Sequence, residues 1–316
     1  MQISKVCILG GTGFLGHHLS ASLAAQGVAC RIPCRHPQRH RDLKLLPGCE
    51  PLAVDIFDAE ALARALEGCQ AAVNLVGILN PSGGASFRRL HIELVDILVD
   101  ACRVAGVRRL LHMSALHADA SHGKSEYLRS KGEGENRAHT AGGAIAAVTS
   151  FRPSVIFGPG DSFFNRFASL LRLSPGFFPL ACPDARFAPV YVGDVAAAFA
   201  RCLDDPATFS QHYDLCGPRA FSLRELVAYT ADNIGRPTRI LGLGDAASRL
   251  QARLLGILPG KPFTVDNYLS LQTDSLCAEN GLQALGISPR DIDALVPLYL
   301  GGQAQRQRYQ ALRRKL

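Results

Sequence analysis

Residues 6–16 are Val6-Cys7-Ile8-Leu9-Gly10-Gly11-Thr12-Gly13-Phe14-Leu15-Gly16, in which a short apolar run gives way to a loop spaced by glycines. A segment rich in alanine and leucine continues from His17. The apolar run predicts a buried strand, and the segment after the loop predicts a helix. A G-x-G-x-x-G loop in this context is typical of a chain that binds a pyrophosphate, whereas the loop alone has many purely structural uses.

Each glycine of the loop has a predicted task. Gly11 permits a tight turn, Gly13 lets the backbone approach the phosphates, and Gly16 lets the helix pack against its strand. The first N–H groups of the helix then face the anion, and the helix dipole favours negative charge there. The residues predicted to bind the pyrophosphate are Gly10, Gly11, Thr12, Gly13, Phe14, Leu15 and Gly16.

The composition is that of a soluble globular enzyme, because 47% of the 316 residues are hydrophobic and 19% are charged. The same numbers exclude a disordered chain. A net charge of +7 suits an anionic ligand, and the sequence carries none of the fold signatures of nucleic-acid-binding proteins. Because no run of 18 apolar residues and no cleavable leader occurs, we expect a cytoplasmic protein, with a peripheral position at the inner face of the membrane as the alternative.

The cysteines and histidines predict neither a disulfide framework nor a metal site. The ten cysteines include no C-x-x-C pair, so we expect them to be free, small buried hydrophobes in a reducing compartment. The histidines that we considered lack the spacing of metal ligands. These are His17, His18, His91, His112 and His117.

Short apolar runs alternate with helical segments through the first half of the chain, at 6–9, 28–32, 51–54, 71–76, 110–113 and 146–151. This alternation predicts an α/β fold, a doubly wound parallel sheet of the Rossmann type. We place this dinucleotide-binding domain at residues 1–157, with 189–217 packing back on it. Residues 158–188 and 218–316 form a smaller, interleaved substrate lobe.

A candidate catalytic group follows the fifth apolar run. Tyr127 and Lys131 stand four residues apart at the start of a predicted helix, so both project from one face. A nearby cation favours the phenolate form of a tyrosine, which makes the pair a plausible proton shuttle. Ser114 comes just after the strand at 110–113, where its hydroxyl is placed to bond a substrate carbonyl. The alternative is a surface helix whose lysine stem packs on a tyrosine ring.

Four segments resemble the short-chain dehydrogenase/reductase superfamily: SAL at 114–116, YLRSKGEGE at 127–135, RPSVIFGPGD at 152–161 and PVYVGDVA at 189–196. The resemblance is to its extended and atypical epimerase/dehydratase-like branch. Within that branch, the chain is similar to bacterial relatives of the nucleotide-binding accessory subunit of mitochondrial respiratory complex I. The interval between Ser114 and Tyr127 is shorter than in the extended sugar-nucleotide enzymes.

The resemblance implies a bound dinucleotide and a catalytic Tyr127–Lys131 pair, with Lys131 also reaching the nicotinamide ribose. It places Asp55 and Ile56 near the adenine. Further cofactor contacts are implied at Asn74, Leu75, Val76, Gly77, Arg152, Pro153, Ser154 and Val155. Two functions follow: an oxidoreductase or epimerase acting on an unidentified small-molecule carbonyl or hydroxyl substrate, or a non-catalytic scaffold or redox sensor associated with a quinone-linked respiratory complex or its assembly.

The choice of dinucleotide depends on Arg35 and His36. They occupy the position about 20 residues past the glycine loop where an acidic residue would hold the ribose hydroxyl of NAD. A guanidinium pairs with a phosphate, and no Asp or Glu stands between Gly16 and Asp42, so NADP(H) is favoured over NAD(H). The alternative is that a basic run only solvates an exposed loop; its members are Arg31, Arg35, Arg39 and Arg41.

Two further patterns keep alternatives open. Phe163, Phe164 and Phe167 either line a substrate pocket or pack the smaller lobe, and packing is the commoner task of phenylalanine. An apolar helical face with flanking arginines lies between 246 and 258, and the C-terminus is basic. The face is formed by Leu250, Leu254, Leu255 and Ile257. It would rest on an anionic membrane or a partner, or pack in the core, and we favour core packing because amphipathic helices of globular proteins are far more common.

Overall fold

The computed structural model describes residues 3–258 and 260–301. The strands are β1 Lys5–Leu9, β2 Ala29–Cys34, β3 Cys49–Ala53, β4 Ala71–Asn74, β5 Arg109–Met113, β6 Ala147–Pro153, β7 Ile156–Phe157, β8 Phe177–Leu180, β9 Arg186–Phe187, β10 Val190–Tyr191, β11 Gln211–Leu215, β12 Phe221–Ser222 and β13 Arg239–Gly242. The helices are α1 Phe14–Ala25, α2 Ala59–Leu66, α3 Leu94–Ala105, α4 Glu126–Arg137, α5 Phe164–Leu173, α6 Val192–Arg201, α7 Leu223–Asn233, α8 Asp245–Ile257, α9 Val265–Ser270, α10 Gly281–Ala284 and α11 Ile292–Leu300.

A seven-stranded sheet forms the centre of the first of two compact units. Its strand order is β11-β6-β5-β4-β1-β2-β3, and every neighbouring pair is parallel. The strand order reverses between β1 and β4, which is the point where sheets of this kind bind ligands beyond the carboxyl ends of their strands. The predicted doubly wound Rossmann fold is therefore confirmed.

Burial on both faces explains why the central strands are continuous apolar runs. All residues of β4 and β5 are buried, and so are the last four residues of β1. Helices α2 and α3 cover one face and place Leu62, Leu66 and Leu98 in the same apolar cluster as Leu9 and Leu110. Because water is excluded from both sides, alternation of polar and apolar residues does not occur in these strands.

The first unit comprises the chain up to Pro153, together with Gly193–Leu215 and Glu279–Ser288. The last segment had been assigned to the smaller lobe from the sequence. It joins the sheet unit because α10 packs on β11: a Cβ atom at Gly281 would lie 2.8 Å from Cβ of Tyr213. Residues 279–288 have no alternating or continuous apolar pattern of a strand, so the sequence does not indicate that they belong to the sheet unit.

The second unit comprises Ser154–Val192, Cys216–Ala278 and the chain from Pro289 onward. Helices α5, α7 and α11 surround an aromatic cluster in which Phe164 is fully buried and Phe163 packs beside it. Phe167 packs in an adjoining cluster with Leu171 and Leu180. The three phenylalanines therefore pack this unit, which is the more common of the two roles weighed from the sequence.

One pair of cysteines corrects the expectation of free thiols. Cys216 and Cys277, both in the second unit, form a disulfide. They are 61 positions apart, so no local motif signals the pairing. The other cysteines are free, and most of them are buried in the sheet unit as predicted.

Helix α8 corrects the expectation of core packing. Its buried side chains are the small Ser248 and Ala252, whereas Leu250, Leu254 and Ile257 are 56%, 60% and 83% exposed. Among the described residues, no helix has the length and apolar character needed to cross a membrane. The residues that make the C-terminus basic lie outside the described residues; they are Arg306, Arg308, Arg313, Arg314 and Lys315.

Candidate functional site

The glycine loop joins β1 to α1 at the reversal point of the sheet. Gly10 has a φ of +77°, a left-handed conformation that favours glycine. Gly11 is required for a different reason, because a Cβ there would lie 2.7 Å from Cγ2 of Ile32. A Cβ at Gly16 would lie 2.5 Å from the carbonyl oxygen of Gly10, so α1 packs closely on the loop that follows β1, whereas the sequence predicted packing on the strand itself.

The start of α1 is open to a ligand. Its N-cap is Gly13, which has no side chain to bond the first amides, and the first turn contains no acidic residue. Gly13 is exposed, and a Cβ there would come within 3.2 Å of the carbonyl oxygen of Gly10. An anion approaching the amides of this turn therefore meets backbone and positive dipole only.

The segment after β4 lies against the same loop. A Cβ on Gly10 would be 3.1 Å from the backbone of Leu75 and Val76. Buried Asn74 shapes this segment, because its Oδ1 accepts the N–H of Val76 at 3.1 Å, while its Nδ2 lies 3.4 Å from Nδ1 of His112. The side chain of Asn74 therefore fixes the backbone of Val76, and both its oxygen and its nitrogen contact other residues of the protein.

Gly77 brings this segment next to the predicted catalytic lysine. A Cβ on Gly77 would lie 3.7 Å from Nζ of Lys131 and 3.6 Å from Nε2 of His91. Any side chain at position 77 would thus fill the space in front of the lysine. Leu75, Val76 and Gly77 therefore form a backbone wall between the glycine loop and Lys131.

Tyr127 and Lys131 lie in the first turns of α4, as predicted. Ser125 caps the helix, its hydroxyl accepting the N–H of Leu128 at 3.1 Å. Lys131 is 4% exposed, and its Nζ donates to the carbonyl of Met113 at the end of β5. Burial lowers the pKa of Lys131 to about 8, although the charge of Glu135 opposes that shift. A buried lysine with a lowered pKa beside a tyrosine is typical of a functional site.

His91 completes this group, and sequence reasoning missed its role. Its Nε2 accepts the N–H of Ile78 at 3.1 Å, so the hydrogen is on Nδ1, which donates to Oγ of Ser130 at 2.8 Å. Ser130 donates in turn to the carbonyl of Tyr127 at 3.0 Å. Burial, with a contribution from the charge of Lys131, lowers the pKa of His91 to about 2, so the ring is neutral. The imidazole centroid lies 5.8 Å from that of Tyr127.

The hydroxyl of Ser114, predicted to bond a substrate carbonyl, bonds a side chain of the protein in this structure. Its hydroxyl donates to Oε2 of Glu135 at 2.7 Å. Glu135 is 2% exposed and also accepts from Nε of Arg152 at 3.0 Å and from Nδ1 of His212 at 2.7 Å. Burial alone would raise the pKa of Glu135, but hydrogen bonds from His212 and Ser114 and the charge of Arg152 lower it to about 2. Glu135 was not predicted from the sequence as a functional residue.

Arg152 and its neighbours, predicted to contact the cofactor, have partners inside the protein. The guanidinium of Arg152 is bonded to Glu135, and the carbonyl of Pro153 accepts the N–H of Leu116 at 3.2 Å. In the second unit, Oγ of Ser154 donates to the carbonyl of Ser275 at 2.8 Å, and the carbonyl of Val155 accepts from Val190 at 2.9 Å. The structure thus gives Arg152–Val155 structural contacts.

Residues 10–142 match the sequence model of a family described as NAD(P)H-binding. The chain carries an NAD(P)H-binding domain. Over 311 residues it is 29% identical to NADH dehydrogenase (ubiquinone) 1 alpha subcomplex subunit 9, a mitochondrial protein of Arabidopsis thaliana, covering 93% of this chain and 75% of the relative. Over 243 residues it is 28% identical to a ceramide reductase of Caulobacter vibrioides, covering 76% of this chain and 74% of that relative.

A solved structure confirms the fold. The NADPH-dependent quinone oxidoreductase of Escherichia coli, complexed with NADPH, matches with a TM-score of 0.70 and 20% identity, covering 96% of this chain and 99% of that chain. At this level of identity the match establishes the architecture and leaves the chemistry to the residues.

The edge of the NAD(P)H-binding domain beyond β2 is basic. Arg35 and His36 are both exposed, and the nearest acidic residue along the chain, Asp42, lies 2.9 Å from Nε2 of His17. Arg31 belongs to a different environment, because its Nη1 donates to the carbonyls of Ala65 and Glu67 at 2.9 Å each. Arg31 therefore holds the end of α2. It has a structural role, whereas Arg35 and His36 are exposed to solvent.

Asp55 and Ile56 follow β3 in the NAD(P)H-binding domain. Asp55 is exposed, and its Oδ1 accepts the N–H of Phe57 at 3.0 Å, which closes a turn. Ile56 is half-buried and packs on the core cluster of α2 and α3. These two residues lie at the same edge of the domain as Arg35. The adenine contact predicted for them therefore stays a prediction.

Two groups of side chains bring potential metal ligands within 4.8 Å of one another, although the sequence predicted no metal site. These groups are His17, His40 and Asp42, and Glu135, His139 and His212. In the first group, His17 bonds Asp42 directly. In the second, Arg152 binds the carboxylate of Glu135 and would repel a cation. Hydrogen bonding accounts for both groups, and we assign no metal to either.

Proposed function

We propose that this protein is an NADP(H)-dependent oxidoreductase that acts on a carbonyl or hydroxyl group through Tyr127 and Lys131. The observation that carries the proposal is the buried ammonium group of Lys131. It lies one helical turn from Tyr127 and faces Gly77, next to the glycine loop. The cost of burying a cation is high, so this arrangement is better explained by chemistry than by stability.

The residues at the loop fit a dinucleotide. The first turn of α1 presents backbone N–H groups without a competing cap, and a side chain at Gly13 would narrow the approach to them. The glycine loop would hold the pyrophosphate, and Leu75–Gly77 would border the rest of the nucleotide. A bound nicotinamide nucleotide would supply the hydride.

The chain's own groups would handle the proton. The phenol of Tyr127 donates or accepts it, and the nearby cation of Lys131 favours the ionised phenol. Neutral His91 does not compete for this proton, because burial holds its pKa near 2. Through Ser130, His91 bonds the first turns of α4 and fixes the backbone that carries Tyr127.

The preference for NADP(H) rests on Arg35 and His36. Both are exposed beyond the end of β2, at the position where NAD-binding chains place a carboxylate for the ribose. A guanidinium can form a paired, charge-assisted contact with a phosphate. The E. coli relative by fold is named as NADPH-dependent, which is consistent with this proposal.

The test is hydride transfer by the purified full-length protein. NADPH oxidation is followed at the nicotinamide absorbance with quinones, ketone forms of ceramides and simple ketones, compound classes suggested by the names of the relatives. Tyr127→Phe should lower the rate by about 10²-fold or more and leave NADPH binding intact, because it removes only the proton donor. Tyr229→Phe in the second unit is the matched control. Equal rates for Tyr127→Phe and the parent would overturn the proposal.

A second function is favoured by a separate observation. Ser114 donates its hydroxyl hydrogen to Glu135, so the third member of the predicted catalytic group is engaged elsewhere. The Arabidopsis relative is named as a subunit of NADH dehydrogenase. A nucleotide-binding scaffold associated with a respiratory complex is therefore the alternative. It predicts tight NADPH binding, no turnover with any substrate of the panel, and co-purification of the tagged protein with respiratory-chain subunits.

A further inference from the structure

Helix α8 presents an apolar surface that the second unit leaves uncovered. Leu250, Leu254, Ile257 and Leu258 are 56%, 60%, 83% and 48% exposed, and we call this set the α8 face. Leu250, Leu254 and Ile257 are spaced i, i+4 and i+7 and therefore lie on one side of α8, and Leu258 follows directly at its C-terminal end. Single exposed leucines are ordinary on protein surfaces, but a contiguous apolar stripe marks a binding surface.

The α8 face is not needed to hold the helix in place. The opposite side of α8 is fixed by Ser248, whose Oγ accepts the N–H of Cys182 at 3.2 Å and donates to the carbonyl of Leu243 at 3.2 Å. Gln251 also donates to the carbonyl of Pro179 at 3.1 Å. Small buried residues, polar contacts and half-buried Leu255 thus hold the helix, and the four residues of the α8 face point away from the unit.

The positive charge beside the α8 face indicates what kind of partner it binds. No Asp or Glu occurs from residue 246 to residue 265, whereas Arg249, Arg253 and Lys261 fall in this segment. Both arginines are exposed, and Arg249 lies over the ring of Tyr268. Asp245, the first residue of α8, is bonded to the hydroxyl of Tyr268, so the basic residues beside the stripe outnumber the acidic ones. An apolar stripe with such a basic flank is complementary to a surface that is apolar inside and anionic at its rim.

A phospholipid surface fits this pattern better than a second copy of the chain. Two copies that met through the α8 face would bring their arginines together, and the like charges would repel each other. On the two-stranded sheet of β8 and β13 in the same unit, Phe177 is 51% and Leu241 is 40% exposed. A lipid surface tolerates such scattered apolar residues because it deforms around them.

We propose that the α8 face binds the surface of an anionic phospholipid membrane. The aliphatic side chains enter the boundary between headgroups and acyl chains, and Arg249 and Arg253 lie among the phosphates. With 13 residues, α8 is about 20 Å long, which suffices for a helix that lies in the membrane plane. None of these residues belongs to the glycine loop or to the Tyr127–Lys131 pair, so the proposal stands whether or not the protein is an enzyme.

The absence of tryptophan from the chain permits a clean optical test. Ile257→Trp places a single reporter in the α8 face, and Leu45→Trp places one at an equally exposed position of the first unit. Vesicles of phosphatidylcholine and phosphatidylglycerol in equal amounts should shift the emission of the first variant to shorter wavelength and leave that of the second unchanged. No shift for Ile257→Trp would overturn the proposal.

Co-sedimentation with the same vesicles separates the apolar and the charged contributions. The double variant Leu254→Gln/Ile257→Gln should lower binding by about tenfold or more, because two aliphatic side chains no longer leave water. Arg249→Gln/Arg253→Gln should lower binding to the anionic vesicles by about tenfold or more, with little effect on pure phosphatidylcholine. Arg64→Gln on α2 is the matched control for charge.

Two results would contradict the proposal: one would locate vesicle binding at another part of the chain, and the other would identify another partner for the α8 face. Vesicle binding that survives Leu254→Gln/Ile257→Gln, but is lost when Arg306, Arg308, Arg313 and Arg314 are replaced by Gln, would place it at the C-terminus and overturn the proposal. Sedimentation velocity that shows a dimer of the parent chain and a monomer of Ile257→Gln would identify a second copy as the occupant and overturn it as well.

Discussion

The hydroxyl of Ser114 donates to the buried carboxylate of Glu135 at 2.7 Å, and this bond ties the end of β5 to α4. Glu135 stands one helical turn after Lys131 and its negative charge supports the ammonium form of that lysine. The serine therefore acts on the candidate site through the carboxylate. A substrate carbonyl that used the Ser114 hydroxyl would have to displace Glu135 from it.

Glu135→Gln should destabilise the protein and change how its stability depends on pH. The partners of Glu135 hold its folded pKa near 2, below the usual 4.5, so the carboxylate adds stability above pH 4.5 that is lost as the pH falls toward 2. The shift corresponds to about 3 kcal/mol. Urea unfolding across this range should show a steeper acid loss for the parent chain than for the variant. Glu133→Gln, half-buried and paired with Arg137, is the control and should behave like the parent.

His91→Gln should alter stability in a different pH range. Burial holds the folded pKa of His91 near 2, below its usual 6.5, so the unfolded chain takes up a proton first as the pH falls. Stability that is complete above pH 6.5 is therefore lost below it, and the variant lacks this component. Chemical unfolding at pH 7.5 and pH 5 should show a smaller difference for His91→Gln than for the parent. An identical difference would mean that His91 is already charged in the folded protein.

Gly16→Ala should abolish nucleotide binding and lower the free energy of unfolding by about 1–3 kcal/mol. The added methyl group would lie 2.5 Å from the backbone of Gly10 and Gly11, so the loop has to move. Calorimetric titration with NADPH and urea unfolding measure the two effects. Gly143→Ala is the control, because a Cβ there meets nothing within 4 Å and its φ of −61° suits alanine.

Arg35→Ala should weaken NADPH binding by about tenfold or more and leave NADH binding unchanged, because a charge-assisted contact to the 2′-phosphate is lost. Titration of the full-length protein with each nucleotide measures the ratio of dissociation constants. Arg64→Ala, an exposed arginine on α2, controls for the loss of one positive charge. An equal decrease for both nucleotides would show that Arg35 contacts a part that they share.

The sequence alone determined the first six strands of the sheet, the glycine loop and the start of α4. Apolar runs fixed the strands and the spacing of Tyr127 and Lys131 fixed their common face, because both patterns follow from local backbone geometry. Gly16 was predicted to allow close packing for the same reason, and in the structure it lets α1 pack closely on the loop that follows β1.

The tertiary structure alone decided which polar groups meet in the interior. Glu135 and His212 are 77 positions apart, and Cys216 and Cys277 are 61 positions apart, so neither pair leaves a local signal. The same holds for α8, whose sequence predicts an amphipathic helix. Only the packed second unit shows that Ser248 and Ala252 are buried and that Leu254 and Ile257 are exposed. Periodicity states that a helix has two different sides, whereas the choice of the side that faces the interior depends on contacts with chain far away in sequence.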